Sequence, residues 1–235
     1  MLDGMRFKQK VHSTLADIKE EKFSLDLPRL IPIYDLSGEI IAHLRPITKS
    51  TYHNKGEIKL LAKWRDENFF AYPSQFKVTY EGTQRWVQKA VLENETRILF
   101  FIDPLGKASK PFGHIGLATF NFRNNSCEID NVVRGDKKAL KGIMTYALSA
   151  LVTWVRCTLQ PSHIFLRVLS DNDHAINFYK RNNFKEVQRI PLEKIESSQG
   201  IQWLENLKLK KAEKYFIKME LSQFSHNVNH RKSKK

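Results

Sequence analysis

Apolar residues recur along this chain in two periods, one suited to strands and one to helices. Residues 40–47 read as a strand. Residues 55–67 place Ile58, Leu61, Ala62 and Arg65 on one side, the spacing of a helix, and residues 82–92 form a second helix with Trp86, Val87, Ala90 and Val91 apolar. Residues 96–102 are a strand of Ile, Leu and Phe, and residues 106–111 carry turn chemistry. Strands at 114–122 and 127–134 flank the Asn124-Asn125 turn and form a hairpin. The most regular helical pattern covers 138–155, where Leu140, Met144, Ala147, Leu148, Leu151 and Val155 recur at three and four residues. After Pro161 come a strand at 163–169, a short helix at 173–182, and strands at 184–190 and 215–221. This β-α-α-β-β-β-α-β-α-β-β order predicts an α/β protein with a mixed sheet covered by helices.

The organisation follows from the same pass. Residues 1–38 mix charge with apolar spots and end in Leu30–Tyr34 and a Ser37-Gly38 turn, so they predict an N-terminal extension packed on a domain spanning 39–222. Residues 223–235 end in His230-Arg231-Lys232-Ser233-Lys234-Lys235 and predict a solvated, disordered basic tail. The first ten residues are charged and show no secretory pattern, and no apolar run is long enough to span a membrane.

Composition narrows the partners. The net charge is +14, and residues 205–235 hold nine Lys or Arg against three Glu. The rest of the surface is still basic, which favours anionic partners. Two cysteines, Cys127 and Cys157, form neither a disulfide framework nor a metal pattern. They predict reduced thiols in the cytoplasm and no metal.

The chemistry concentrates between Leu166 and Val187. Leu169-Ser170-Asp171-Asn172 follows a strand and precedes a helix that Asp171 or Asp173 can cap. Asn172 is placed to reach a ligand across the strand ends. Tyr179 lies seven residues on, two helical turns away and on the same side. Asn183 can take the left-handed turn into the next strand. Read as Val168-x-x-x-Asn172-x-x-Ala175-x-x-x-Tyr179-x-x-x-Asn183-Phe184, the segment resembles the C-terminal signature of the GCN5-related N-acetyltransferase superfamily, with Asn183 in place of its glycine.

The resemblance implies that superfamily's fold, a mostly antiparallel sheet with a splay between two strands. It also implies acetyl-CoA as co-substrate, Asn172 on its pantetheine or phosphate arm, and Tyr179 as general acid toward the leaving thiolate. A pyrophosphate loop is implied after the splayed strand, at a helix N-terminus where free amides and the helix dipole bind anions. Asn131–Met144 occupies that place, with Lys137, Leu140 and Gly142 at the family's Q/R-x-x-G-x-G/A positions. Only Gly142 keeps the pattern. Val132, Val133, Lys137, Lys138, Lys141, Gly142 and Ile143 are the expected cofactor contacts, the lysines supplying charge where the glycines are missing. An ordinary basic loop is the alternative.

The base is open among His114, Glu128 and Asp130. Glu128 and Asp130 alternate with Cys127 and Ile129, so both face one side of a strand. Solvent-facing carboxylates and a structural histidine are the competing readings. On the acceptor side, Trp64, Arg65, Asn68, Tyr72 and Trp86 combine flat faces with amide and guanidinium groups, as a polar ring substrate requires. Core filling is their alternative. The Trp64-Arg65-Asp66-Glu67-Asn68 run, the Glu128–Gly135 segment and the Gly142-Ile143-Met144 helix start resemble bacterial acetyltransferases of nucleotide-linked amino sugars. That resemblance covers residues 40–195. It implies an anionic small-molecule acceptor and allows a homodimer, with nucleic acid disfavoured. A second reading is a protein N-terminal or lysine acetyltransferase of the ribosomal-protein type. A third is a non-enzymatic acyl-CoA-binding or basic nucleic-acid-associated module.

Overall fold

A computed structural model describes residues 2–24, 27–106 and 110–222. The expected 223–235 tail lies outside the described residues. One sheet of ten strands organises the chain, in the order β1-β2-β4-β5-β6-β7-β10-β8-β9-β3. In chain order the elements begin with α1 (Leu2–Lys19), β1 (Ile31–Tyr34), β2 (Ile40–Pro46), α2 (Lys49–His53) and α3 (Lys55–Glu67). Next come β3 (Ser74–Phe76), α4 (Tyr80–Trp86, continuing as a π-helical turn over Val87–Leu92), β4 (Ile98–Pro104), β5 (Gly113–Asn121) and β6 (Ser126–Arg134). The chain closes with α5 (Ile143–Thr158), β7 (His163–Leu169), α6 (Asp173–Arg181), β8 (Phe184–Ser197), β9 (Gly200–Glu205) and β10 (Lys214–Leu221).

Every strand pairing is antiparallel except that of β6 with β7. This parallel pair lasts only three rungs, Ser126↔His163, Cys127↔Ile164 and Glu128↔Phe165. Beyond Glu128 the strands part, although β6 runs on to Arg134 and β7 to Leu169. Each keeps its other neighbour: β6 stays on β5, and β7 stays on β10. Two strand edges therefore face each other across a gap.

Two apolar layers hold the sheet. On one face, α1 and α5 bury Phe7, Val11, Leu15 and Leu148, Leu151, Val155 against strand residues such as Phe100 and Leu117. On the other, α3 and the π turn bury Ile58, Leu61, Trp64, Val87 and Val91 against Leu99, Phe101 and Val133. The segment expected as an extension is woven into the first layer: Phe7, Val11, Leu15 and Ile18 are buried at helical spacing, and β1 pairs with β2.

Two boundaries move for physical reasons. The long helix starts at Ile143 rather than 138, because Gly142 sits at φ 83, a left-handed conformation that no helix continues through. The strand from Phe184 extends to Ser197 and turns back as β9, pairing from Leu192↔Glu205 to Ser197↔Gly200. β9 in turn pairs with β3, tying the segment after α3 to this hairpin.

Gly135 is where the second layer leaves no space for a side chain. A Cβ there would lie 1.9 Å from Trp64 Cε2. Gly135→Ala is therefore expected to lower stability by about 1–3 kcal/mol, the scale of overpacking. A urea-unfolding midpoint equal to the wild type would contradict that packing.

Candidate active site

Tyr179 of α6 lies within electrostatic reach of Asp130, two residues beyond the last β6–β7 rung. Its ring is buried and meets Phe178 and Phe184 edge-on, with centroids 5.2 and 6.0 Å away. Burial, with Asp130 and Tyr72 in electrostatic reach, pushes its phenol well above the usual tyrosine range, so it stays protonated. No group among the described residues accepts its proton. Tyr179 is thus an uncommitted donor held inside the fold.

Asn172 is the N-cap of α6: its Oδ1 accepts the Ala175 N–H at 3.1 Å. The cap expected of Asp171 or Asp173 belongs to Asn172, whose Nδ2 remains uncommitted. Asn183 takes φ 65, so the left-handed turn survives without glycine.

The loop from β6 to α5 is shaped from inside. Arg134 donates to the carbonyls of Asp136, Lys137 and Ala139, and Asp136 accepts the Lys138 N–H at 2.8 Å. Helix α5 then begins without a side-chain cap. The N–H groups of Lys141, Gly142 and Met144 find no acceptor among the described residues, while Ile143 N–H donates to Leu140. Free amides at the positive end of a 16-residue helix fit a phosphate. Lys137, Lys138, Leu140 and Lys141 are exposed around them. Two expected contacts are corrected. Ile143 is buried in the core with its N–H spent, and Val133 is buried in the layer beneath α3, so neither side chain is available. Val132 is half-buried on the gap-side strand.

The three base candidates separate clearly. His114 is sealed in the interior, its Nδ1 2.7 Å from the Asn131 carbonyl and its ring 5.8 Å from that of Trp64. Burial lowers its pKa to about 4, so it is neutral and structural. Glu128 is buried and held by both arms of Arg167 at 2.8 and 2.7 Å, and Arg167 also pairs with Glu205. Burial raises the Glu128 pKa against the pull of Arg167. Asp130 is half-buried, takes Arg97 at 2.8 Å and Asn131 Nδ2 at 2.6 Å, and lies within reach of Tyr179. A bulge after Asp130, with Asn131 at φ 52, re-aims the strand at this point.

The acceptor candidates divide as well. Trp64 is buried beneath Gly135 and belongs to the core. Asn68 donates its Nδ2 to the Trp64 carbonyl and closes the end of α3. Both are removed from the acceptor set. Arg65 lies 3.4 Å over the Tyr72 ring, and Trp86 lines a crevice with Arg97, Asp130 and Asn131. Arg97, Arg167, Asn131 and Arg134 are not among the site residues expected from the sequence. The carboxylate partners of Arg97 and Arg167 are 33 and 39 residues away, so no local spacing marks them.

A family model described as an acetyltransferase (GNAT) domain matches residues 43–185. No curated protein matches the chain. Among solved structures, RimL, a ribosomal L7/L12 alpha-N-protein acetyltransferase in complex with coenzyme A, is 15% identical with a TM-score of 0.59, covering 81% of this chain and 96% of that one. A spermidine N-acetyltransferase SpeG chimera from Vibrio cholerae and hSSAT is 15% identical with a TM-score of 0.56, covering 77% and 94%. A probable acetyltransferase from Chromobacterium violaceum is 13% identical with a TM-score of 0.58, covering 81% and 85%. These likenesses are of fold.

His114 makes stability depend on pH. Its folded pKa of about 4 lies below the ordinary 6.5, so the unfolded chain binds the extra proton between these values. Stability is full above about 6.5 and falls as pH drops toward 4, by roughly 3 kcal/mol for this group. His114→Asn is expected to flatten that slope in urea unfolding at pH 4.5 and 7. An unaltered slope would take His114 out of the account.

Proposed function

The chain belongs to the GNAT acetyltransferase family and is an N-acetyltransferase that draws its acetyl group from acetyl-CoA; on that premise we propose that it acetylates the amino group of a nucleotide-linked amino sugar. Tyr179 carries the reading: a buried, protonated phenol with no acceptor among the described residues lies in electrostatic reach of Asp130, just beyond the last rung of the parting strands. In our reading the amine attacks the thioester carbon directly, the thiolate departs, and Tyr179 gives it a proton. Asp130, fixed by Arg97 and Asn131, receives the proton of the attacking ammonium directly or through a water. The N–H groups of Lys141, Gly142 and Met144 hold the pyrophosphate, and Lys137, Lys138 and Lys141 add charge. Asn172 Nδ2 and the open edges of β6 and β7 are donors and acceptors for the amide-bearing pantetheine arm.

The sugar acceptor is supported by the flat faces of Tyr72 and Phe76 beside Arg65, and of Trp86 near Arg97 and Asp130, which suit a polar ring and its anionic linkage. A protein α-amino group is the second reading, favoured by the shared fold with RimL, whose name gives that acceptor. Two free cysteines, one buried and one exposed, support the cytoplasmic setting. Among the described residues no helix is long and apolar enough to cross a membrane, and no cluster of metal ligands occurs.

Tyr179→Phe is expected to lower kcat by about 10²-fold or more, the scale of a general acid. An unchanged rate would remove Tyr179 from the mechanism. With acetyl-CoA and a set of nucleotide-linked amino sugars, free thiol is expected to accumulate. Turnover of a protein N-terminus and of no amino sugar would replace the first acceptor by the second.

A further inference from the structure

We propose that Arg65 is the specificity anchor of the acceptor site, binding a carboxylate or phosphate group carried on the same molecule as the reacting amine. The proposal rests on the acetyl-transfer reading and names a property of the acceptor that the reading leaves open.

The guanidinium is held rigidly. It lies 3.4 Å over the ring of Tyr72 and 5.2 Å from that of Phe76, and its Nη2 donates to the Ser74 carbonyl at 2.6 Å. Tyr72, Ser74 and Phe76 belong to the segment that β9 pins through β3. The close approach there needs Gly200, where a Cβ would lie 2.0 Å from the Gln75 carbonyl oxygen. The fork is thus aimed by the fold before any ligand arrives.

Among the described residues no carboxylate pairs with Arg65 directly, and Asp130 acts on it only at longer range. Three other arginines have carboxylate partners: Arg45 takes Glu57 and Asp103, Arg97 takes Asp130, and Arg167 takes Glu128 and Glu205. Arg65 has no carboxylate within 4 Å among the described residues, although burial strips water from it. A guanidinium has five N–H donors; one goes to the Ser74 carbonyl and the Tyr72 hydroxyl is in reach of the fork, so donors remain. A partly desolvated cation with donors remaining on a planar fork matches the two oxygens of a carboxylate or phosphate.

Asp130 lies within electrostatic range of both Arg65 and Tyr179, which relates the anchor to the reacting groups of the proposed site. An acceptor with its amine at Asp130 and an oxyanion at Arg65 satisfies both charges. A neutral amino sugar leaves the guanidinium without a direct anionic partner. A polyamine brings positive charge against it.

Calorimetric titration of the full chain saturated with CoA tests this without requiring turnover. The probes are glucosamine, glucosamine 6-phosphate, muramic acid and spermidine. One of the two oxyanion-bearing sugars is expected to bind about tenfold or more tightly than glucosamine, in line with charge-assisted bidentate pairing. Whichever wins identifies the oxyanion as phosphate or carboxylate. Arg65→Gln should abolish that preference while leaving CoA affinity unchanged, and Arg65→Lys should retain part of it. If Arg65→Gln does not fold, Arg65→Lys carries the test through a reduced preference. No preference over glucosamine, tighter binding of spermidine, or a preference kept in full by the folded variants would overturn the proposal, as would the absence of binding by all four. Thiol release from acetyl-CoA, followed separately, distinguishes the parent reading. Oxyanion preference without thiol release would contradict acetyl transfer and leave the Arg65 site standing.

Discussion

The early separation of β6 from β7 is the constraint on which the site depends. Three parallel rungs hold the strands together, and beyond Glu128 and Phe165 each is paired on one side only. Backbone polar groups left unpaired inside a sheet are costly unless something answers them. A ligand rich in amides can do so, and on the proposed reading the gap is its site. The bulge at Asn131 bends β6 beyond the last rung, with His114 against the Asn131 carbonyl. From α6, the buried Tyr179 phenol stays protonated with Asp130 of β6 in electrostatic reach.

Charge is distributed to match. Glu128 lies at the last rung and is neutralised there by Arg167, which also reaches Glu205 on the β8–β9 hairpin. Removing one partner from such a buried pair strands the other, so this triad serves the architecture of the split. Asp130, two residues on, is more open and more lightly held. Of the two carboxylates it is better placed to exchange a proton. Down the same strand, Arg134 folds the loop so that α5 presents bare N–H groups, and the helix dipole makes that end positive. On the proposed reading, the thiolate end of the cofactor would meet a neutral phenol and its phosphate end a cationic helix terminus.

Much of this was legible in the chain, for local reasons. The helix at Lys55–Glu67 and the strand at His163–Leu169 have the bounds that periodicity predicts. The positions of Asn172, Tyr179 and Asn183 could be read because a short strand-turn-helix-strand unit fixes them: Asn172 caps α6, Tyr179 lies two turns on, and Asn183 takes the left-handed turn. The failures share a different cause. Trp64 and Asn68 look like ligand groups in isolation, but a glycine 71 residues after Trp64 seals it and its own helix consumes Asn68. Helix α1 shows its apolar stripe at Phe7, Val11, Leu15 and Ile18, yet surrounding charge hides it in a linear reading. The extended β8–β9 hairpin is largely exposed, so little apolar alternation announces it. The unpaired state of Arg65 is a property of tertiary contacts alone.

Amide hydrogen exchange with and without CoA tests the central claim most directly. The account predicts that protection gained on binding concentrates at Lys141, Gly142 and Met144 and along the gap-facing edges of β6 after Glu128 and β7 after Phe165. Protection confined to the surface cavity near Lys19 and Lys49, with the gap unaffected, would contradict it.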